Sequence, residues 1–294
     1  METLLDARRS DLHRRTREVL ADLRDVLVEA GATEEDRTVL TASIRQLDDL
    51  FLLVVAGEFN SGKSAFINAL LGHDALEEGV TPTTSQIYLL RYGEEETRRQ
   101  LEPGVWEHAF RAPLLREIVI VDTPGTNAIQ REHEALTTRF VPRSDLVLFV
   151  TSADRPFTES ERRFLAEIRD WGKKIVLVVN KIDILPADGD RREVLEFVER
   201  SAGSLLGGVQ ALFGVSARLA REAKAGRTEV WQASGFGPLE DYVRQALDDE
   251  GRFRLKLQSP LGVAQRLLRG QMELADADLA SLAADRSRLA DIES

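Results

Sequence analysis

From residue 4 to residue 28, Leu5, Leu12, Val19, Leu20, Leu23, Val26 and Leu27 recur among charges at the spacing of one apolar helix face. Gly31 closes that run. Thr33, with Asp36 three residues on, resembles a capping box opening a second helix that carries Val39, Leu40, Ile44, Leu47 and Leu50. The period then changes. Phe51–Ala56, Ile118–Val121, Leu146–Val150 and Ile175–Val179 are short, wholly apolar runs of the kind buried on both faces of a parallel sheet. Ile87–Leu90 and Ala211–Val215 read as further strands. Helical patterns lie between them: one after Gly62, one opened by Thr158 and Glu161 and running to about Trp171, one near 191–204, and one from Pro238 to about Leu247. The alternation predicts an α/β fold with a mostly parallel sheet and helices on both faces.

Two stretches depart from it. Arg91 to Glu117 is charged, and its Pro103, Gly104 and Pro113 predict a loop with room for one short strand. Residues 126–141 are polar and predicted to be partly helical. Near the end, Ser259-Pro260 reads as an N-cap followed by a first-turn proline, predicting a long helix from there to Ser294. Within it Leu268, Met272, Ala275, Leu279, Leu282 and Leu289 follow steps of four and three, apart from the heptad position taken by Arg286, which predicts a coiled-coil-like seam cut inside a helical stalk.

Composition narrows the chemistry. Thirty-nine Lys plus Arg against 50 Asp plus Glu give the 294 residues a net charge of −11, so broad attraction to nucleic acid or anionic lipid is not expected. With no cysteine there is no disulfide or thiolate metal site, and the four histidines show no ligand spacing. The first residues lack the apolar core of a signal peptide, and no run approaches eighteen apolar residues.

Gly57-Glu58-Phe59-Asn60-Ser61-Gly62-Lys63-Ser64 follows the first apolar strand and leads into a helix, with the glycine and lysine spacing of a phosphate-binding loop. Backbone N–H groups from Gly57, Asn60, Ser61, Gly62 and Ala65 are candidates to face phosphates, with Lys63 reaching the β- and γ-phosphates and the Ser64 hydroxyl on Mg²⁺. Asp122-Thr123-Pro124-Gly125 ends another strand: Asp122 is a candidate to hold Mg²⁺ through water, and the Gly125 N–H to approach the γ-phosphate. Asn180-Lys181-Ile182-Asp183 follows a third strand. Asp183 can accept N1–H and N2–H of guanine, which adenine cannot supply, with Lys181 along the base and Asn180 bracing the phosphate loop. Val215-Ser216-Ala217 follows a fourth, where the Ala217 N–H is a candidate contact for guanine O6. Four boxes in this order, each at the carboxyl end of a strand, imply a GTPase domain that binds GTP or GDP with Mg²⁺.

Beyond these boxes, Ile67-Asn68-Ala69-Leu70-Leu71-Gly72, Thr81-Pro82-Thr83-Thr84, Val121–Thr126, Ser144–Thr151 and Ala153–Thr158, with helices flanking the head, resemble bacterial dynamin-like proteins. The resemblance implies N-terminal bundle helices over 1–49, a GTPase domain over 50–250 and a C-terminal bundle or stalk helix over 251–294. It also implies heads that pair across the nucleotide and drive membrane remodelling, fission or fusion, by a protein of the cytoplasm working at the inner face of its membrane. It implies no nucleic-acid partner. A switch threonine should join Ser64 on Mg²⁺; spacing permits Thr81 or Thr84, with Thr84 favoured. The glutamine that orients water in small GTPases is missing, since Thr126-Asn127 follow Gly125. Phe59 and Asn60 stand where dynamins have a Gln-Ser pair, leaving Asn60, backbone groups or a partner head to orient the water. His133 reads as a surface helix residue, and Arg139 and Arg155 as surface ion-pair residues. Two other readings share the boxes: a ribosome- or RNA-associated assembly GTPase, which the charge disfavours, and a GTP-gated scaffold with little hydrolysis.

Overall fold

The structure, a computed structural model, describes residues 2–58, 60–77, 86–123 and 136–293. Helices α1 (Glu2–Glu29) and α2 (Glu34–Gln46) precede β1 (Phe51–Ala56) and α3 (Lys63–Leu71). Strands β2 (Ile87–Tyr92), β3 (Thr97–Glu102), β4 (Val105–Phe110), β5 (Ile118–Asp122) and β6 (Leu146–Ser152) follow. Then come α4 (Glu159–Asp170), β7 (Ile175–Asn180), α5 (Asp188–Leu206), β8 (Ala211–Gly214), α6 (Ala217–Lys224), α7 (Phe236–Ala246) and α8 (Asp249–Glu293). The eight strands form one sheet in the order β3-β4-β2-β5-β1-β6-β7-β8. It is mixed and mostly parallel, with antiparallel pairing only at β2–β5 and β3–β4.

Alternation along the central strands supplies two cores. Phe51, Leu53 and Val55 of β1 face Phe66 and Ile67 of α3, Ala220 of α6 and Phe236 of α7. Leu52, Val54 and Ala56 belong to the opposite layer, with Phe164 of α4, Val198 of α5, Leu40 of α2, Leu20 of α1 and Val263 of α8. The terminal helices therefore share a continuous core with one face of the sheet. One of the two expected capping boxes forms in full: Thr158 and Glu161 cap α4 reciprocally, whereas at α2 Asp36 N donates to Thr33 Oγ1 at 3.1 Å but the Asp36 carboxylate accepts from the Thr33 hydroxyl and not from its backbone N–H.

Three expectations need correction. Residues 91–117 are not loop with one short strand, because β3 and β4 form a hairpin there. Pro103-Gly104 is its turn, with Gly104 at φ +80°, and β3 is charged because it is the exposed edge of the sheet. Next, Ser259-Pro260 does not start the last helix. α8 begins at Asp249 and carries Pro260 inside it. An interior proline costs about 3 kcal/mol, and buried contacts of the residue before it work against that cost: Ser259 Oγ donates to Ser144 O at 2.6 Å, and Lys173 Nζ donates to Ser259 Oγ at 2.7 Å. Finally, α6 (Ala217–Lys224) is a helix that the pattern between residues 204 and 238 does not predict; Ser216 caps it by accepting from Leu219 N at 3.1 Å. Beyond Leu267 no described residue of α8 is buried, and Leu268, Met272, Leu279 and Leu282 of the expected seam are exposed.

Candidate nucleotide site

The boxes gather at one edge of the sheet, beyond the carboxyl ends of β1, β5, β7 and β8. The phosphate loop lies where β1 turns into α3. Gly57 sits so close to β6 that a Cβ there would stand 2.0 Å from Val150 O. Gly62, at φ +84°, precedes α3 without any side-chain cap, leaving the first N–H groups of that helix available to an anion. A Cβ on Gly62 would stand 2.4 Å from Asn180 Nδ2, so glycine is required on conformation and on space.

Asn180, at the end of β7, ties the boxes together. Its Nδ2 donates to Ser61 O at 3.0 Å and to Gly62 O at 3.3 Å, while its Oδ1 accepts from Ala217 N at 3.0 Å. The expected brace is present. The Ala217 N–H, expected on guanine O6, is instead donated to Asn180 because α6 starts there and turns that group toward β7. Lys181 adopts φ +64°, and its Cε would lie 3.8 Å from a Cβ on Gly62, so its stem runs beside the loop.

Lys63 is buried, and its Nζ donates to Gly57 O at 3.1 Å and Glu58 O at 3.0 Å. An ammonium has three donors, so one is left for a phosphate. Burial lowers its pKa, opposed by the charges of Asp122, Glu161 and Glu58. Asp122 is fully buried, and neither carboxylate oxygen has a hydrogen-bond partner. Burial pushes its pKa up to about 7 against the pull of Lys63. An orphaned carboxylate beside the phosphate lysine is costly alone and is what a hydrated divalent cation would satisfy, so the residues present fit Mg²⁺. Thr81, Thr84, Gly125, Phe59 and His133 lie outside the described residues. Arg139 and Arg155 form ion pairs within the chain, with Glu102 and Asp154 respectively.

The Dynamin family model matches residues 53–108 and 99–183, spanning the phosphate loop, the Asp122 box and the Asn180–Asp183 box. Residues 53–183 belong to the dynamin family. A probable transmembrane GTPase, FZO-like, of the Arabidopsis thaliana chloroplast is 41% identical over 275 residues, covering 85% of this chain and 30% of that protein. The bacterial dynamin-like protein of Nostoc punctiforme is 29% identical, covering 51% of this chain and 27% of its own length. Among solved structures, an oligomerised bacterial dynamin pair described in the sensing and tethering of membranes superposes with a TM-score of 0.62 at 18% identity, covering 96% of this chain and 50% of that one. The chain thus spans half or less of each of these relatives.

Two residues of this dynamin-family site escape the boxes. Asn68 of α3 accepts from Ala75 N and Leu76 N, both at 3.0 Å, fixing the start of the segment that leads toward Thr81–Thr84. Arg218, the residue after Ser216-Ala217, donates from Nε and Nη2 to Asp183 Oδ2 at 3.1 and 2.9 Å. Burial pushes Asp183 up, but bonds from Ser216 and Arg218 outweigh it and hold the carboxyl below the usual carboxylate range, charged and ready to accept. Its place next to the fourth box was the only sequence signal for Arg218. Asn68 lies within the Ile67–Gly72 run that resembles bacterial dynamin-like proteins, but nothing in its spacing announces a hydrogen-bonding role.

Proposed function

We propose that this chain binds GTP in preference to ATP and hydrolyses it to GDP and phosphate. The observation that carries the reading is Asn180, whose one amide links the phosphate loop to α6 beside Asp183, so that phosphate and base recognition share a frame. Asp183 would accept the two guanine donors, Lys63 would contribute its remaining donor to the β- and γ-phosphates, and Ser64, Asp122 through water and Thr84 or Thr81 would hold Mg²⁺. That cation would supply charge neutralisation at the phosphates. Water then forms a bond to the γ-phosphorus as the bond to the β–γ bridging oxygen breaks and GDP leaves. Binding of fluorescent GTP against ATP, with phosphate release measured for wild type and Lys63→Ala, tests this. The expected result is guanine preference and at least a hundredfold loss of turnover in the variant, since removing one preorganised charge contact costs ~10²–10³ in rate. Equal affinity for ATP, or turnover untouched by Lys63→Ala, overturns it.

The finer reading is a head that pairs with another across the nucleotide, with residues 1–49 and 251–294 as a helical arm on the GTPase domain 50–250, working in membrane remodelling. The relatives support it: one is named a transmembrane GTPase, and a solved dynamin pair is described in membrane tethering. No described helix is long and apolar enough to cross a membrane. Turnover per molecule should rise with protein concentration, and a transition-state analogue should double the mass in light scattering. A constant turnover with a monomeric mass removes pairing from the reading.

A further inference from the structure

Glu58, the second residue of the phosphate loop, is fixed on both its main chain and its side chain. Its carbonyl accepts from Lys63 Nζ at 3.0 Å and from Ser61 N at 3.2 Å. Its carboxylate accepts from Ser160 Oγ at 2.6 Å, in the first turn of α4. A carboxylate at a helix N-terminus is stabilised by the helix dipole as well as by the hydroxyl. The receiving end is unusually well held. Thr151 at the end of β6 donates to Glu161 Oε2 at 2.9 Å, and Thr158 N donates to the same oxygen at 3.0 Å. Between them Phe157 is buried at φ +63°, its N–H donated to Thr151 Oγ1 at 3.3 Å.

Among the described residues only Asn60, Phe157 and Lys181 are non-glycines at positive φ. Asn60 and Lys181 belong to nucleotide boxes, whereas Phe157 belongs to the loop that presents Ser160. A bulky residue is held in this conformation only where its surroundings over-determine it, and such strain clusters at functional sites.

We propose that Glu58 and Ser160 form a clasp that positions the Glu58 end of the phosphate loop for the γ-phosphate end of the reaction. The inference rests on the GTPase reading above. The later part of the loop, which runs into the N-terminus of α3, is held independently by Asn180 through the Ser61 and Gly62 carbonyls. The clasp instead steers the Glu58 carbonyl, and through it the Lys63 ammonium, together with Asn60, which follows in the strained half of the loop. Losing it should therefore slow hydrolysis far more than it weakens GDP, because Lys63 keeps its bond to Gly57 O. Glu58 and Ser160 are positioning residues, acting through Lys63 and Asn60.

The test compares Glu58→Ala, Ser160→Ala, the double variant and Glu58→Gln with the wild-type chain, by GDP affinity and by kcat and KM for GTP. Each alanine should lower kcat about tenfold, the equivalent of losing one charge-assisted hydrogen bond, with GDP affinity within about twofold. The double variant should match the singles, because both remove the same contact. Glu58→Gln keeps an oxygen acceptor and should restore most of kcat. Additive losses, equal weakening of GDP and GTP, or unchanged kcat overturn the clasp. If the wild-type chain itself neither binds GDP nor releases phosphate, it is the GTPase reading that has failed.

Discussion

Glu161 is almost wholly buried, and its environment reverses the usual pH logic of a carboxylate. Burial, with the nearby charge of Glu58, raises its pKa from 4.5 to about 7, against the bonds from Thr151 and Thr158. Between pH 4.5 and 7 the folded chain keeps a proton that the unfolded chain has released, so stability falls as pH rises through that window. Asp122 and Asp145 push the same way. Glu161→Gln should therefore lessen the fall by one proton, about 1.4 kcal/mol per pH unit, visible in Tm at pH 5, 6 and 7. An unchanged slope would show that Glu161 is charged throughout. The four boxes were legible in the sequence because each is a contiguous run whose residue types are dictated by phosphate or guanine. The bond between Glu58 and Ser160 was not, since its partners lie 102 positions apart and only the closure of β1 against β6 brings them together.

Most helices and strands were legible from period and caps because local pattern and tertiary burial agree along them. The exceptions are elements whose reason for existing is elsewhere. The β3–β4 hairpin is an edge, so its outer strand has no apolar face to announce it. α8 crosses the head through a contact that sequence pattern could not show: Gly172, at φ +65°, meets Gly262 so closely that a Cβ on Gly262 would stand 2.8 Å from Gly172 O. Two backbones touch there, and Arg266 covers the face of Trp171 one turn on, 3.8 Å from the ring centre. Gly262→Ala gains helix propensity of up to about 1 kcal/mol but must push α8 away from rigid backbone, at a typical cost of about 1–3 kcal/mol. Gly270→Ala, in the same helix with nothing within 4 Å, takes only the gain. Thermal unfolding should thus move in opposite directions, Tm falling for the first and rising for the second. A rise for both would mean the crossing is loose.

At the scale of the whole molecule, the terminal helices are joined to the head by charge as well as by core. Lys256 of α8 donates to Gln46 O at 2.6 Å and Leu50 O at 3.0 Å, where α2 gives way to β1, and its Nζ lies 3.1 Å from Asp145 Oδ2. Asp145 in turn accepts from Leu52 N at 2.8 Å, and Lys173, its pKa lowered by burial to about 7, is bonded to Pro142 O and Ser259. Burial lowers Lys256 and raises Asp145, so each needs the other to remain charged. Removing Lys256 strands the carboxylate, at about 3–5 kcal/mol for a broken buried pair. Lys256→Ala should therefore lower Tm steeply, and Lys256→Met with Asp145→Asn should recover part of the loss, because the amide oxygen still accepts from Leu52 N. How the chain comes apart is the sharper readout. Since α1, α2 and α8 lie in one hydrophobic cluster with β1 and β6, helix loss followed at 222 nm and the fluorescence of buried Trp171 should report a single coincident transition in wild type and variant alike. Separate transitions, with helix lost before Trp171 is exposed, would mean that the helical arm is an independent unit and that Lys256 latches it to the head without being part of a common core.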